Sequence, residues 1–215
     1  MQLKNFIHAK EGLGNRKQVF VKIVFATSNP HKLKELKEIA ASYGVDNIEF
    51  VLPPEDFNPI EDGKTFEENS LIKAKEANRV TGLPALADDS GLCVEALDGA
   101  PGIFSARYAQ TPQQRIDKLL NELMPHKNRN AKFICAMTLV DGSGDILYAC
   151  QGECRGSIAY KQAGSGGFGY DPVFLVSGKN GLTMAELSEE EKNEVSHRGR
   201  ALRKVLDFIK NCTVG

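Results

Sequence analysis

Tryptophan is absent from the 215 residues, and no apolar run approaches the ~20 residues needed to span a bilayer. The N-terminus carries scattered charge but no apolar stretch of signal-peptide length. An excess of either charge is also missing: 27 Lys and Arg face 28 Asp and Glu, for a formal net charge of −1. That balance excludes a general nucleic-acid coat, which draws its affinity from many cationic contacts to phosphates. It leaves room for a locally basic pocket that takes one small anion. The five cysteines (Cys93, Cys135, Cys150, Cys154 and Cys212) include no Cys-x-x-Cys pair and have no nearby His. A structural zinc site is therefore disfavoured, and the odd count argues against a disulfide framework. The expectations are reduced thiols and a soluble, cytoplasmic protein that engages neither nucleic acid nor membrane.

With 41% hydrophobic residues the chain suits one globular domain or two small lobes sharing a core. Residues 1–18 are polar and show no sustained period, as in a loosely ordered extension. Val19 to Ala26 reads as a buried strand, followed by a turn at Thr27-Ser28-Asn29-Pro30. A helix then follows, with Asn29 as N-cap, Pro30 at its first position and Gly44 as its stop. A second strand is predicted near Ile48–Leu52. Thr65-Phe66-Glu67-Glu68 matches a capping box before a helix that ends at Gly82. Pro84 to Ala87 reads as a short strand ending at Asp88-Asp89-Ser90-Gly91, and Leu92–Leu97 as another strand. Thr111-Pro112 opens a helix, residues 131–140 and 146–152 form a hairpin about Asp141-Gly142-Ser143-Gly144, and 164–172 is a Gly-rich loop. Ser188 with Glu191 caps a short helix before a final one bearing Leu202, Val205, Leu206 and Ile209. The pattern implies an α/β fold, a mixed sheet with helices packed against it.

Five stretches carry candidate chemistry. Thr27 to Lys32 is a strand end feeding a helix N-terminus, either an anion cradle with Lys32 as an added donor or an ordinary capped turn. Asp88 and Asp89 are two acids closing an apolar strand; they suit Mg²⁺ or cap backbone groups in an Asx-turn. Any of Glu55, Asp56, Glu61, Asp62, Glu67 and Glu68 has the chemistry to complete such a metal site, and spacing does not choose among them. In the Gly-rich loop, Phe168 or Tyr170 either stacks on a base or returns to the core. Lys192 and Ser196-His197-Arg198 flank a helix junction. There Arg198 either meets the O6 and N7 acceptors of a 6-oxopurine or is a surface residue beside a capping His197.

The order of these motifs resembles one family, the inosine triphosphate pyrophosphatases, also called non-canonical purine NTP (XTP/dITP) pyrophosphatases. The matching text is FATSNPHKLKEL at 25–36, IEDGKTFEENSLIKAKEA at 60–77, PALADDSGLCVEALDGAPGIFSARYA at 84–109, GSGGFGYDPVF at 164–174 and MAELSEEEKNEVSHRGRAL at 184–202. The resemblance implies Mg²⁺-dependent hydrolysis of ITP, dITP and XTP to the monophosphate and pyrophosphate. It also implies a long curved mixed β-sheet flanked by helices, two lobes with a central active-site cleft, and a homodimer. By motif, Thr27, Ser28, Asn29, Pro30, His31 and Lys32 would bind the phosphates. Asp89 would be the catalytic proton acceptor and a metal ligand, Glu61 the second ligand and Ser90 a substrate contact, with Glu68 and Asp88 as further candidates. Phe168, Gly169, Tyr170, Asp171, Lys192, His197 and Arg198 would hold base and sugar. Family chains usually begin near the first strand, so residues 1–20 are read as a tag remnant or misassigned start, with Val21 as the true initiator. Residues 21–212 then form a single NTP pyrophosphatase domain. Two rival readings are a Maf-like pyrophosphatase of modified pyrimidine or methylated triphosphates and a catalytically silent nucleotide binder.

Overall fold

A computed structural model describes residues 21–44 and 48–213; the expected extension at 1–20 lies outside the described residues. Six strands form one sheet in the order β2-β1-β3-β4-β5-β6. They are β1 (Val21–Phe25), β2 (Ile48–Val51), β3 (Ala85–Val94), β4 (Asn130–Val140), β5 (Ile146–Ile158) and β6 (Phe174–Val176). β1 runs parallel to β2 and to β3, whereas β6 is antiparallel to β5, so the sheet is mixed. The parallel pairs require helical crossovers, supplied by α1 (Pro30–Ser42) and α2 (Phe66–Thr81). The remaining helices are α3 (Pro112–Glu122), α4 (Glu189–Val195) and α5 (His197–Thr213). Among the described residues, no helix is long and apolar enough to cross a membrane.

The chain divides into two compact units. Among the described residues, one is drawn from the chain up to Asp89, Ala136–Cys150 and the chain from Ala201, the other from Ser90–Cys135 and Gln151–Arg200. In the first unit α2 lies on the sheet through a seam of small residues, Ala74 and Ala77 against Ala26, Ala85 and Ala87, with Val24 and Val140 beside them. Alanines at this seam let the helix backbone approach the strands closely, and that brings short and long polar side chains of α2 within reach of β3. Ser70 Oγ sits 2.7 Å from Thr138 Oγ1 of β4, another bond that close packing permits. The second unit has its own apolar core, with Leu92, Ile116, Leu119, Leu123, Phe133 and Phe174 among its members.

Local signals in the chain explain the ends of these elements. Asn29 Oδ1 accepts from the His31 N–H and Pro30 sits at the first turn of α1. Gly82 closes α2 at φ 67°, a left-handed conformation that favours glycine. At Thr65 only half of the expected capping box forms. Thr65 Oγ1 accepts from the Glu68 N–H, but the Glu68 carboxylate takes the Lys64 N–H instead of that of Thr65.

Two expectations are corrected. Asp88-Asp89-Ser90-Gly91 does not end a strand: β3 runs unbroken from Ala85 to Val94, so these acids are strand residues and not an Asx-turn. Residues 95–97 are a 3-10 turn and not the continuation of a further strand. The hairpin is also longer than predicted, since β5 continues to Ile158.

Candidate active site

Successive side chains of a strand point to opposite faces, and Asp88 and Asp89 accordingly meet different lysines. Asp88, 1% exposed, takes Lys32 of α1, whose Nζ lies 3.0 Å from both carboxylate oxygens. Asp89 takes Lys73 of α2, whose Nζ is 3.0 Å from Asp89 Oδ1 and also 3.0 Å from Glu61 Oε2. Lys73 therefore bridges the two carboxylates. Asn69, one turn earlier on the same helix, donates to Asp89 Oδ2 at 3.3 Å. Buried charges persist only when paired and hydrogen-bonded, and each acid here is supplied with an ammonium.

Burial favours neutral lysine, but the charges of Asp89, Asp88 and Glu61 outweigh it and hold the Lys73 pKa above its usual value. Lys73 is thus a fixed cation. Burial likewise lifts the Asp89 carboxyl above the usual carboxylate range, against the opposing pull of Lys73 and Lys32. A carboxyl raised in this way is a stronger base once ionised than an exposed one.

The turn between β1 and α1 stands beside this cluster in sequence. Thr27, buried, accepts the Asn29 N–H on its hydroxyl, while Ser28 and His31 are exposed. Pro30 fixes the first turn of α1, so the helix N-terminus, the Ser28 hydroxyl and the Lys32 ammonium stand on one short segment.

The second unit holds a different constellation. Phe168 has the Lys192 ammonium 4.8 Å from its ring centroid and the Arg198 guanidinium at 5.7 Å. Arg198 also donates to Ser90 Oγ at 3.4 Å. Asp171, buried, accepts from Lys192 Nζ at 2.9 Å and from the Phe168 N–H at 2.8 Å, which fixes the loop around Gly169. Cationic and aromatic surfaces meeting in this way suit an electron-rich, planar ligand. Tyr170 does not contribute a stacking face: it is buried, and its hydroxyl donates to the Ser105 carbonyl. His197 is buried and stacks on Phe133 at 4.7 Å between centroids. It does not cap α5. That role falls to Ser196, whose hydroxyl accepts the Gly199 N–H.

A family model described as the Ham1 family matches residues 23–208. The chain belongs to the Ham1 family. Among curated Ham1 relatives, a dITP/XTP pyrophosphatase of Pectobacterium atrosepticum is 46% identical over 196 residues, covering 88% of this chain and 98% of that one. A HAM1 protein of Coxiella burnetii has a similar structure, with TM-score 0.78 and 40% identity over 88% of this chain and 98% of that one. A nucleoside-triphosphatase / dITP/XTP pyrophosphatase of Mycobacterium abscessus gives TM-score 0.67 and 44% identity over 86% and 97%.

In this Ham1 chain Glu61 joins Asp89 through Lys73, whereas Glu68 is exposed and bonded to backbone at the start of α2. The structure thus separates two acids that sequence spacing left equivalent. Glu61 and Asp89 already converge on one cation, Lys73 Nζ, with hard carboxylate oxygens. This donor set fits Mg²⁺, which is typically held by one or two carboxylates together with substrate phosphates. Among the described residues there is no cluster of three or more His, Cys, Asp or Glu suited to a metal.

Lys73 and Asn69 went unassigned in the sequence reading. The signal was present: Phe66, Asn69, Ser70, Lys73, Ala74 and Ala77 recur at the helical interval of one buried stripe. Four buried polar residues on the packed face of this helix, Asn69, Ser70, Lys73 and Asn78, call for partners, and two of the four, Asn69 and Lys73, partner the Asp89 carboxylate.

Proposed function

We propose that this Ham1 chain hydrolyses ITP, dITP and XTP to the nucleoside monophosphate and pyrophosphate with Mg²⁺, as a cytoplasmic homodimer that removes these nucleotides from the pool. The observation that carries the reading is the buried Asp89 and the half-buried Glu61 sharing one cation, with a second ammonium on the neighbouring Asp88. A site built to concentrate both carboxylate and ammonium groups handles charge that develops and departs, as phosphoryl transfer requires. The balanced net charge of −1 suits a small anion better than a polyanion, and five free thiols suit a reducing compartment.

Each group has a part in this reading. Lys32 and the Thr27–Asn29 turn take the phosphate tail, and Lys32 can turn from Asp88 to the incoming oxygens on its flexible stem. Asp89 orients a water toward the α-phosphorus and accepts its proton. Lys73 holds the two acids in place through its bonds to both. Asp89 and Glu61 would hold Mg²⁺, which would supply Lewis acidity and neutralise phosphate charge. Ser90 follows Asp89 directly in β3 and contacts the sugar or phosphate. Phe168 stacks on the base, Lys192 and Asp171 hold its loop, His197 packs behind, and Arg198 meets O6 and N7. Adenine presents a donor at its 6-position and is rejected by the same fork.

A phosphate-release assay coupled to inorganic pyrophosphatase, on ITP, dITP, XTP and ATP with Mg²⁺ or with EDTA, tests the proposal. Release on the first three that needs both Mg²⁺ and the coupling enzyme supports it; comparable turnover of ATP contradicts it. In Arg198→Ala the preference for ITP over ATP should fall, since a bidentate base contact carries about 1–3 kcal/mol of discrimination. An unchanged ratio of kcat/KM values would remove Arg198 from base selection.

A further inference from the structure

We propose that Asn69 is a positioning residue whose carboxamide ties the Asp89 carboxylate to the loop bearing Glu61, so that the two acids are placed as one body. The inference rests on the assignment of Asp89 and Glu61 to one metal and one reaction made above. Asn69 is 1% exposed. Its Nδ2 donates to Asp89 Oδ2 at 3.3 Å, while its Oδ1 accepts the Gly63 N–H at 2.9 Å. Lys73, four residues on, holds the other Asp89 oxygen. Side chains four apart share a helix face, so α2 grips both oxygens of one carboxylate and thereby sets its plane. An ammonium on a four-carbon stem is a compact charge with rotatable donors. A carboxamide is planar with its donor and acceptor at a fixed angle, so the direction of the carboxylate comes from Asn69.

The other end of the amide reaches the Glu61 loop. Gly63 lies two residues after Glu61, and a Cβ there would stand 2.7 Å from Asn69 Oδ1 and 2.8 Å from Glu68 Cβ. Contacts under 3.0 Å force a shift, so the backbone at Gly63 approaches the amide as only glycine permits. One side chain thus spans strand β3 and the loop, and any drift of the loop is felt at Asp89.

Two variants test this from opposite ends. Asn69→Leu keeps the branched four-atom skeleton of the side chain and removes both hydrogen bonds; Gly63→Ala leaves Asn69 in place and wedges the loop away. The readouts are kcat and KM for ITP at saturating Mg²⁺, Mg²⁺ affinity of the nucleotide-free protein by titration calorimetry, and melting temperature. For both variants the expected result is a fall of roughly 10–100-fold in kcat or in metal affinity, the usual cost of removing a group that orients a ligand, with KM little changed. Variants that only melt lower, with wild-type turnover per folded molecule and wild-type Mg²⁺ affinity, would overturn the inference. Failure of the wild-type protein to hydrolyse ITP would sink the functional reading alone. In that case the calorimetry still decides the coupling, for it if Mg²⁺ binding weakens in both variants and against it if binding is unchanged.

Discussion

Asp89→Asn should lower kcat on ITP by about 10²–10⁴-fold, the range a positioned general base supplies, while KM changes little. The amide has the shape of the acid but neither its charge nor its basicity. The groups assigned to the phosphate tail and the base, Lys32, Phe168 and Arg198, keep their own partners in Asp88, Lys192 and Ser90. The folded state should survive, because one of two hydrogen bonds at the carboxylate is lost and Lys73 still has Glu61. A lost bond to a charged group costs about 1.5–3 kcal/mol, or roughly 3–12 °C in Tm for a chain of this size. Steady-state kinetics beside a melting curve separates the two effects. Turnover within a few-fold of wild type at saturating Mg²⁺ would remove Asp89 from the proton-accepting role.

Lys73→Met attacks the same cluster through its cation, and here stability moves as well as activity. Without the ammonium, Glu61 and Asp89 face one another uncompensated. Breaking a buried ion pair from one side costs about 3–5 kcal/mol, and the one-third exposure of the Glu61 side chain places this case near the lower end. A loss of about 3 kcal/mol corresponds to roughly 6–12 °C in Tm. The pH dependence follows from the direction of the Asp89 shift. Burial raises its folded pKa above 3.8, so the folded state holds that proton more tightly than the unfolded chain does. Wild-type stability from this group is therefore lost as pH rises from the unfolded value through the raised one. Removing Lys73, which opposes the rise, enlarges that loss. The gap in Tm between wild type and variant should be widest at neutral pH and narrow on acidification into the carboxylate range. Mg²⁺ should restore part of the lost stability, since it supplies a cation to the same two acids. A Tm within 2 °C of wild type at neutral pH would contradict the bridging role.

The fold and the candidate site were legible to different depths, and the reason is the range over which each signal acts. Caps at Asn29, Thr65, Thr111 and Ser188 act within three residues and placed four helix starts. The alternation of strands and helices in the first half implied parallel crossovers, and β1, β2 and β3 pair accordingly. Asp88 and Asp89 were misread as a strand end because two charges inside a strand are expensive when considered alone. The structure offsets that cost with Lys32 and Lys73, which are 56 and 16 residues away. No pattern within the strand announces partners at such distances. The choice of the half-buried Phe168 over Tyr170 as the stacking ring likewise depends on the Ser105 carbonyl, 65 residues before Tyr170. The choice of Glu61 over Glu68 depends on which acid Lys73 can reach. Asn69 and Lys73 were visible as polar positions on the buried stripe of a helix, and the periodicity gave them a face without giving them a role.

The claim that a water aligned by Asp89 attacks the α-phosphorus is tested most directly by hydrolysing ITP in ¹⁸O-labelled water with Mg²⁺ and weighing the products. The account predicts inosine monophosphate carrying one ¹⁸O and unlabelled pyrophosphate. Label in the pyrophosphate, or inosine diphosphate with labelled orthophosphate, would contradict it.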